Sequence, residues 1–300
     1  MQTTFFIDYP ENFSFHHTVN SHGWYELSPY EYEREAATLK HVFGAETGPV
    51  TVSTTDAGGR LLVEADTDAD IEQIGASVRH ILRMDDDLTE FYDLAAADEG
   101  GLGWVTRNNA GRLLRSPTVW EDLVKTICTT NCSWGLTKNM VNNLVFKLGE
   151  TSPGGKRAFP TPAAMGAVGA EFYRDEIRAG YRSPYFAELA AAVASRELDP
   201  ESWLDWDGPT AELKQEMKRV KGVGDYAAEN LLKLVGRYDG LALDSWLRSQ
   251  FYKRHNAEKV CPDKTIERHY KRYGKWRGLA VWCDMTERWF DDPQKAGNDG

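Results

Sequence analysis

The chain has 300 residues, of which 41% are hydrophobic and 12% aromatic, which suits a packed core of one large domain or two ordinary ones and excludes a disordered polymer. Its formal net charge is −11, but residues 1–100 hold 5 Lys+Arg against 20 Asp+Glu, and residues 211–280 hold 16 against 9. An evenly basic surface is excluded, and a local basic one is not. No apolar run reaches the ~18 residues of a membrane span, and the start MQTTFFIDYPENF lacks the basic and apolar regions of a signal peptide, so a cytoplasmic protein is expected, nucleoid-associated in a bacterium.

In chain order, Thr51-Val52-Ser53 and Leu61-Leu62-Val63 flank the turn Asp56-Ala57-Gly58-Gly59, the pattern of an antiparallel hairpin. A helix is predicted from Asp70 to Ile81, with Ile71, Ile74, Val78 and Ile81 at helical spacing. From about Leu88 the pattern is helical, with segments at Thr118–Ile127, Trp134–Leu148, Thr161–Val168, Ala170–Ala179 and Tyr185–Ser195. Gly149, Pro153 and Gly154-Gly155 mark a loop, and Phe159-Pro160-Thr161-Pro162 opens the next helix. Helices resume at Thr210, and the residues from Asp291 on are polar. The four cysteines (Cys128, Cys132, Cys261, Cys283) are scattered and read as thiols, since no second pair or nearby histidine completes a metal set. His16-His17 and His80 likewise lack partners at metal spacing.

The densest signal is Val220-Lys221-Gly222-Val223-Gly224-Asp225-Tyr226, followed eighteen positions after Tyr226 by Asp244 in Leu243-Asp244-Ser245-Trp246. A helix, a glycine turn and a second helix are expected there. Glycine admits φ > 0 and a close backbone approach, and the free N–H groups of a helix start attract a phosphate. Asp244 reads either as the N-cap of the next helix or as a carboxylate that acts on what the hairpin delivers. Three other segments keep it company: Ile127-Cys128-Thr129-Thr130-Asn131-Cys132, Phe159-Pro160-Thr161-Pro162 and Ala179-Gly180-Tyr181-Arg182-Ser183-Pro184-Tyr185.

In this order, over about residues 78–290, the set resembles the helix-hairpin-helix DNA glycosylases, with elements of both their 3-methyladenine and 8-oxoguanine branches. The resemblance implies a helical core of two lobes, placed at residues 95–300 with the hairpin at 220–226; with the antiparallel pattern of residues 1–94 as a small sheet domain before it, the expected fold is α+β. It implies Asp244 as the essential carboxylate, which stabilises charge on the sugar and directs water. Asn131 becomes the residue that fills the gap left by a flipped base, with an N-cap as its bland alternative. Gly222, Val223, Gly224, Ser245 and Arg248 become DNA contacts, although Arg248 could equally be a surface residue.

Tyr226 departs from the strand-cleaving relatives, which carry a nucleophilic lysine at that position. An aromatic there resembles the monofunctional 3-methyladenine enzymes and could stack on a cationic base; a core tyrosine is the alternative. Lys221 and Lys233 flank the hairpin, and their spacing does not recommend them as substitutes. Trp282 is expected in the base pocket, among the C-terminal aromatics Trp246, Phe251, Trp276 and Trp289. The hairpin carbonyls of Val220 and Gly222 are implied as ligands for a monovalent cation (Na+ or K+). No iron–sulfur cluster is expected, since only Cys261 and Cys283 lie beyond the hairpin. The implied function is monofunctional excision of an alkylated or deaminated purine from damaged double-stranded DNA by a monomer. An 8-oxoguanine-directed enzyme of the same fold and a catalytically silent lesion binder remain as alternatives.

Overall fold

Alternating burial builds the first third of the chain. The computed structural model describes residues 2–45, 48–68 and 70–291. Its strands are β1 (Thr3–Asp8), β2 (Glu31–Glu33), β3 (Thr38–Ala45), β4 (Gly48–Asp56) and β5 (Arg60–Ala65). They form one antiparallel sheet in the order β1-β5-β4-β3-β2. Leu61, Val63 and Ala65 of β5 are buried while Arg60 and Glu64 face water, the two-residue period of a sheet with one covered face. The expected hairpin is the β4–β5 turn, closed by the Ala57 N–H on Arg60 O at 2.9 Å, with Gly58 and Gly59 at φ +75 and +85.

The helix Ile71–Ile81 is capped by Asp70 and buries Ile74, Val78 and Ile81. Ile71, expected in that stripe, is exposed, because at 100° per residue it falls at the stripe's edge. Helices follow at Val119–Thr129, Trp134–Leu148, Ser183–Ala194, Thr210–Met217, Asp225–Leu234, Ser245–His255 and Arg277–Thr286. The two predicted at 161–168 and 170–179 are shorter, Pro162–Gly166 and Ala170–Asp175; Gly169 separates them and Arg178 turns the chain at φ +62.

Two hydrophobic cores result, and neither follows a boundary at residue 94. The first joins the sheet to the helices between Val119 and Leu234, because a five-stranded sheet must bury its apolar face against helices. The second joins Leu88–Leu113 to Tyr238–Met285. These are the two lobes. No helix among the described residues is long and apolar enough to cross a membrane.

Between the lobes, Arg83 anchors the end of the helix Asp225–Leu234. Its buried guanidinium donates to Leu234 O at 2.7 Å and pairs with Asp86 at 2.6 Å. It thus satisfies a helix-terminal carbonyl, which Arg115 Nη1 also approaches at 3.5 Å.

Candidate active site

The helix-hairpin-helix is formed by Thr210–Met217, a turn through Gly224, and Asp225–Leu234. Gly222 has φ +91, and a Cβ there would lie 3.0 Å from the Tyr185 ring and 3.5 Å from Ile127 Cγ2. The turn therefore packs directly on the ends of Val119–Thr129 and the Tyr181–Tyr185 segment. Val223 does not contribute as expected. Its N–H donates back to Val220 O at 3.0 Å and its side chain is buried, so it closes the turn and leaves no amide for a phosphate. Gly224 is the N-cap of the second helix and supplies no capping side chain, which leaves the first N–H groups of that helix open to an anion.

The basic excess around the hairpin is largely paired. Lys221 meets Glu188 at 2.5 Å, Lys218 meets Asp225 at 3.0 Å, and Lys214 meets Glu229 at 2.6 Å. Arg248 is held by both oxygens of Asp263 at 2.8 and 2.9 Å. A phosphate contact through Arg248 would have to break that two-pronged pair.

Asp244 is the N-cap that the sequence offered, and the same residue borders a cavity. As N-cap of Ser245–His255, its Oδ1 accepts the Leu247 N–H at 2.7 Å, while its carboxylate lines a cavity of about 320 Å³ between the lobes. Ser245 lines the same cavity. Tyr226, at the start of the hairpin helix, sits beside Asp244; burial and the neighbouring carboxylate both push its phenol pKa up, so the hydroxyl stays protonated.

The cavity walls are aromatic. Trp246, Trp282 and Trp289 form one side, with ring centroids 5.2–6.3 Å apart. Trp276 and Phe251 belong instead to the second core, where Trp276 stacks on Phe91 and Tyr238. The other side was not expected from the sequence, since it comes from the acidic N-terminal third. Residues 20–26 line the cavity almost throughout. Trp24 Nε1 donates to buried Asp122 at 2.7 Å, Trp282 Nε1 to Ser21 O at 2.9 Å, and Trp134 Nε1 to Glu26 at 2.9 Å. A Cβ on Gly23 would overlap the Trp134 ring, so glycine is what lets that indole lie against the chain.

Glu26 also accepts from Lys138 and from the Tyr25 hydroxyl, each at 3.2 Å. Burial alone would raise its pKa, but these hydrogen bonds hold the carboxyl below its ordinary value. His22 Nε2 lies 2.6 Å from Leu114 O. A carbonyl only accepts, so Nε2 carries the proton. Burial pushes the imidazole down to about 4, which leaves it neutral with Nδ1 as an acceptor.

Lys233 also ends in the cavity, whereas Lys221 is exposed in its pair with Glu188. Spacing could have revealed this: Tyr226, Asn230 and Lys233 recur at i, i+4 and i+7 on the hairpin helix, which puts all three on one face.

Asn131 stands at the tip of the turn before Trp134–Leu148, exposed and at φ +47, a region asparagine tolerates. It is not the cap of that helix; Ser133 is. Its Nδ2 meets the exposed Tyr181 hydroxyl at 3.4 Å, and Arg182 fixes the turn from below by donating to Ile127 O at 3.1 Å. Hairpin, Asn131 and Tyr181 thus share one face. Away from it, His255, His269 and Asp284 cluster within 4.8 Å. Asp284 there already meets His255 and Tyr270 through Oδ2 at 2.7 and 2.5 Å and forms an ion pair with Arg254 through Oδ1 at 2.9 Å, so a metal ion would have to displace an arginine.

No protein-family model matches the sequence, and no curated protein sequence matches it significantly. Solved structures do match. MBOgg1 in complex with a low-affinity DNA ligand superposes with a TM-score of 0.76 at 18% identity, covering 97% of each chain. A 3-methyladenine DNA glycosylase from Archaeoglobus fulgidus gives 0.77 at 19% identity over 95% of this chain and 99% of its own. The Clostridium acetobutylicum 8-oxoguanine glycosylase/lyase with double-stranded DNA gives 0.71 at 17% identity over 96% and 98%. The chain has the fold of the helix-hairpin-helix DNA glycosylases, an N-terminal antiparallel sheet joined to a two-lobed helical body.

Proposed function

We propose that this protein is a DNA glycosylase that extrudes a damaged purine, alkylated or deaminated, from duplex DNA and hydrolyses its glycosidic bond as a monomer. One observation carries the reading: Asp244 opens into a tryptophan-walled cavity directly beside the start of the uncapped hairpin helix. A phosphate held on that helix brings the adjoining sugar to the carboxylate, and its base enters the aromatic cavity. As the bond breaks, positive charge grows on the deoxyribose. Asp244 stabilises that charge and takes a proton from the water that adds to C1′. Its capping bond to Leu247 fixes one oxygen, so the carboxylate meets the sugar in a set orientation.

The hairpin position that would carry a nucleophilic amine holds Tyr226, so water is the acceptor and the product is an intact abasic site. Asn131, presented by Tyr181, fills the space left in the stack. A monovalent cation on the Val220 and Gly222 carbonyls would find oxygen donors only, and Val220 O, which accepts one N–H, keeps a second lone pair for it. No step depends on that ion.

The test is single-turnover excision on duplexes bearing 3-methyladenine, 7-methylguanine, hypoxanthine, 8-oxoguanine, uracil or no lesion, read with and without alkali. Release of an alkylated or deaminated purine, with strand breakage only after alkali, is the expected result. Release confined to 8-oxoguanine would reassign the lesion. No release despite lesion binding would leave a silent binder.

A further inference from the structure

Lys233 is the group in the cavity that the hydrolytic reading does not use. It is 3% exposed. An ammonium has three N–H donors, and the only acceptor it meets among the described residues is Leu241 O at 3.2 Å. No described carboxylate lies within ion-pairing distance, and the face of Trp282 stands 5.6 Å away. A buried cation with unmet donors is a costly arrangement, normally relieved by a partner. Lys233 is among the residues that line the open cavity, as is Trp282, whose ring its Nζ faces.

Position decides which part of a bound nucleotide the ammonium would meet. Seven residues along a helix place Lys233 about 10 Å beyond Tyr226, away from the hairpin end. Asp244 and the hairpin hold the sugar and phosphate, so Lys233 stands at the base. Resting on the proposed glycosylase activity, we propose that Lys233 donates a proton to the departing base and thereby directs the site toward neutral purine lesions of the hypoxanthine class. Such a base carries oxygen and nitrogen acceptors on its far edge and leaves poorly unless protonated. A positively charged methylpurine needs no proton and is repelled by an ammonium. His22, neutral with Nδ1 free to accept, would read an N–H of the same base.

The step balances. The C1′–N9 bond breaks and its electron pair passes to the purine. A Lys233 proton moves to a purine ring nitrogen, leaving a neutral amine. Water adds to C1′ and gives its proton to Asp244, and solvent then restores both groups.

The same chemistry fixes a pH dependence. Burial lowers the Lys233 pKa to about 8, against the pull of Glu229, Asp244 and Cys283; His22 faces it in the neutral state, and the Cys283 thiol is pushed up to about 12. The donor is therefore present below about pH 8 and lost above it.

The experiment compares hypoxanthine and 3-methyladenine release by the wild type and by Lys233→Met and Lys233→Arg across pH 6–10. In Lys233→Met the hypoxanthine-to-3-methyladenine rate ratio should fall about 100-fold. In the wild type that ratio should drop as pH rises through about 8, and in Lys233→Arg, whose guanidinium keeps its charge but cannot release a proton, the ratio should be low at every pH. A ratio indifferent to the substitution and to pH overturns the proposal. So does a borohydride-trapped enzyme–DNA adduct that Lys233→Met abolishes, since it would make Lys233 a nucleophile. If Lys233→Met does not fold, the wild-type pH profile decides alone. Release by the wild type confined to 8-oxoguanine would overturn this proposal alone, whereas no release of any base of the wider lesion panel would remove the glycosylase reading itself.

Discussion

Glu26 and Lys233 line the same cavity, and the fold treats them in opposite ways. Glu26 accepts from Trp134, Lys138 and Tyr25; among the described residues Lys233 donates only to Leu241 O. The contrast extends to their neighbours. On the N-terminal side, Trp24 is tied to Asp122, Ser21 O receives Trp282, and His22 is tied to Leu114 O. On the hairpin side, Tyr226 and Asp244 keep polar capacity that the protein does not fully use. The groups tied in this way hold the N-terminal wall in shape, and those left over on either wall, Asn20 Oδ1 and His22 Nδ1 among them, can exchange bonds with a ligand.

The sharpest way to break this contrast is at Asp244. Asparagine caps a helix as well as aspartate does, so Asp244→Asn should fold and bind a lesion duplex normally. Its single-turnover rate should nevertheless fall roughly 10²–10⁴-fold. Equal loss of binding and rate would mean that Asp244 serves only as a cap.

Lys233 tests the contrast from the stability side. Its ammonium loses its proton near 8 instead of the ordinary 10.5, so the folded state carries a penalty of ~3 kcal/mol at neutral pH. The unfolded chain binds the extra proton between those values, so the penalty is full below about pH 8 and relieved as pH rises toward 10.5. Lys233→Met should therefore raise stability to urea by up to ~3 kcal/mol at pH 7, with a gain that shrinks in alkali. A destabilised variant would show that the amine is structural.

The sequence made these two walls unequally legible. The hairpin, Asp244 and Tyr226 lie within a span of 25 residues (220–244), so glycine pattern and spacing locate them. Lys233 required the further step of asking which residues share a face with Tyr226. The N-terminal wall offered no such handle. Residues 20–26 have no periodicity, and Gly23 matters only because Trp134, over a hundred positions later, lies against it. Long-range packing also separated Trp282 from Trp276: both read as aromatic residues of the C-terminal helices, and only the partners Ser21 and Phe91 tell them apart. The basic excess of residues 211–280 was visible as a count, but its pairing with local acids was not.

On the fixed wall, Asp122→Ala strands the Trp24 indole N–H and the Ser116 amide, both of which now donate to Asp122 Oδ1 at 2.7 and 2.9 Å. A loss of about 1–3 kcal/mol of stability is expected from the unsatisfied donors. Weaker lesion binding should accompany it, as Trp24 loses its set position. Thermal unfolding together with duplex titration checks both, and unchanged lesion affinity would show that the wall need not be rigid.

The smallest effect is expected at Asn131, outside the cavity. Its φ of +47 means that alanine would add backbone strain to the loss of the side chain, so glycine is the cleaner substitution. Asn131→Gly keeps the turn and removes the amide that meets Tyr181. If that amide fills the gap left by an extruded base, duplex affinity should weaken by ~1 kcal/mol, about fivefold. A lesion in single-stranded DNA leaves no gap to fill, and its excision should not change. Equal weakening on both substrates would place Asn131 in backbone contact only. No change on either would leave Tyr181, which stands 51% exposed on the same turn, as the side chain that enters the stack.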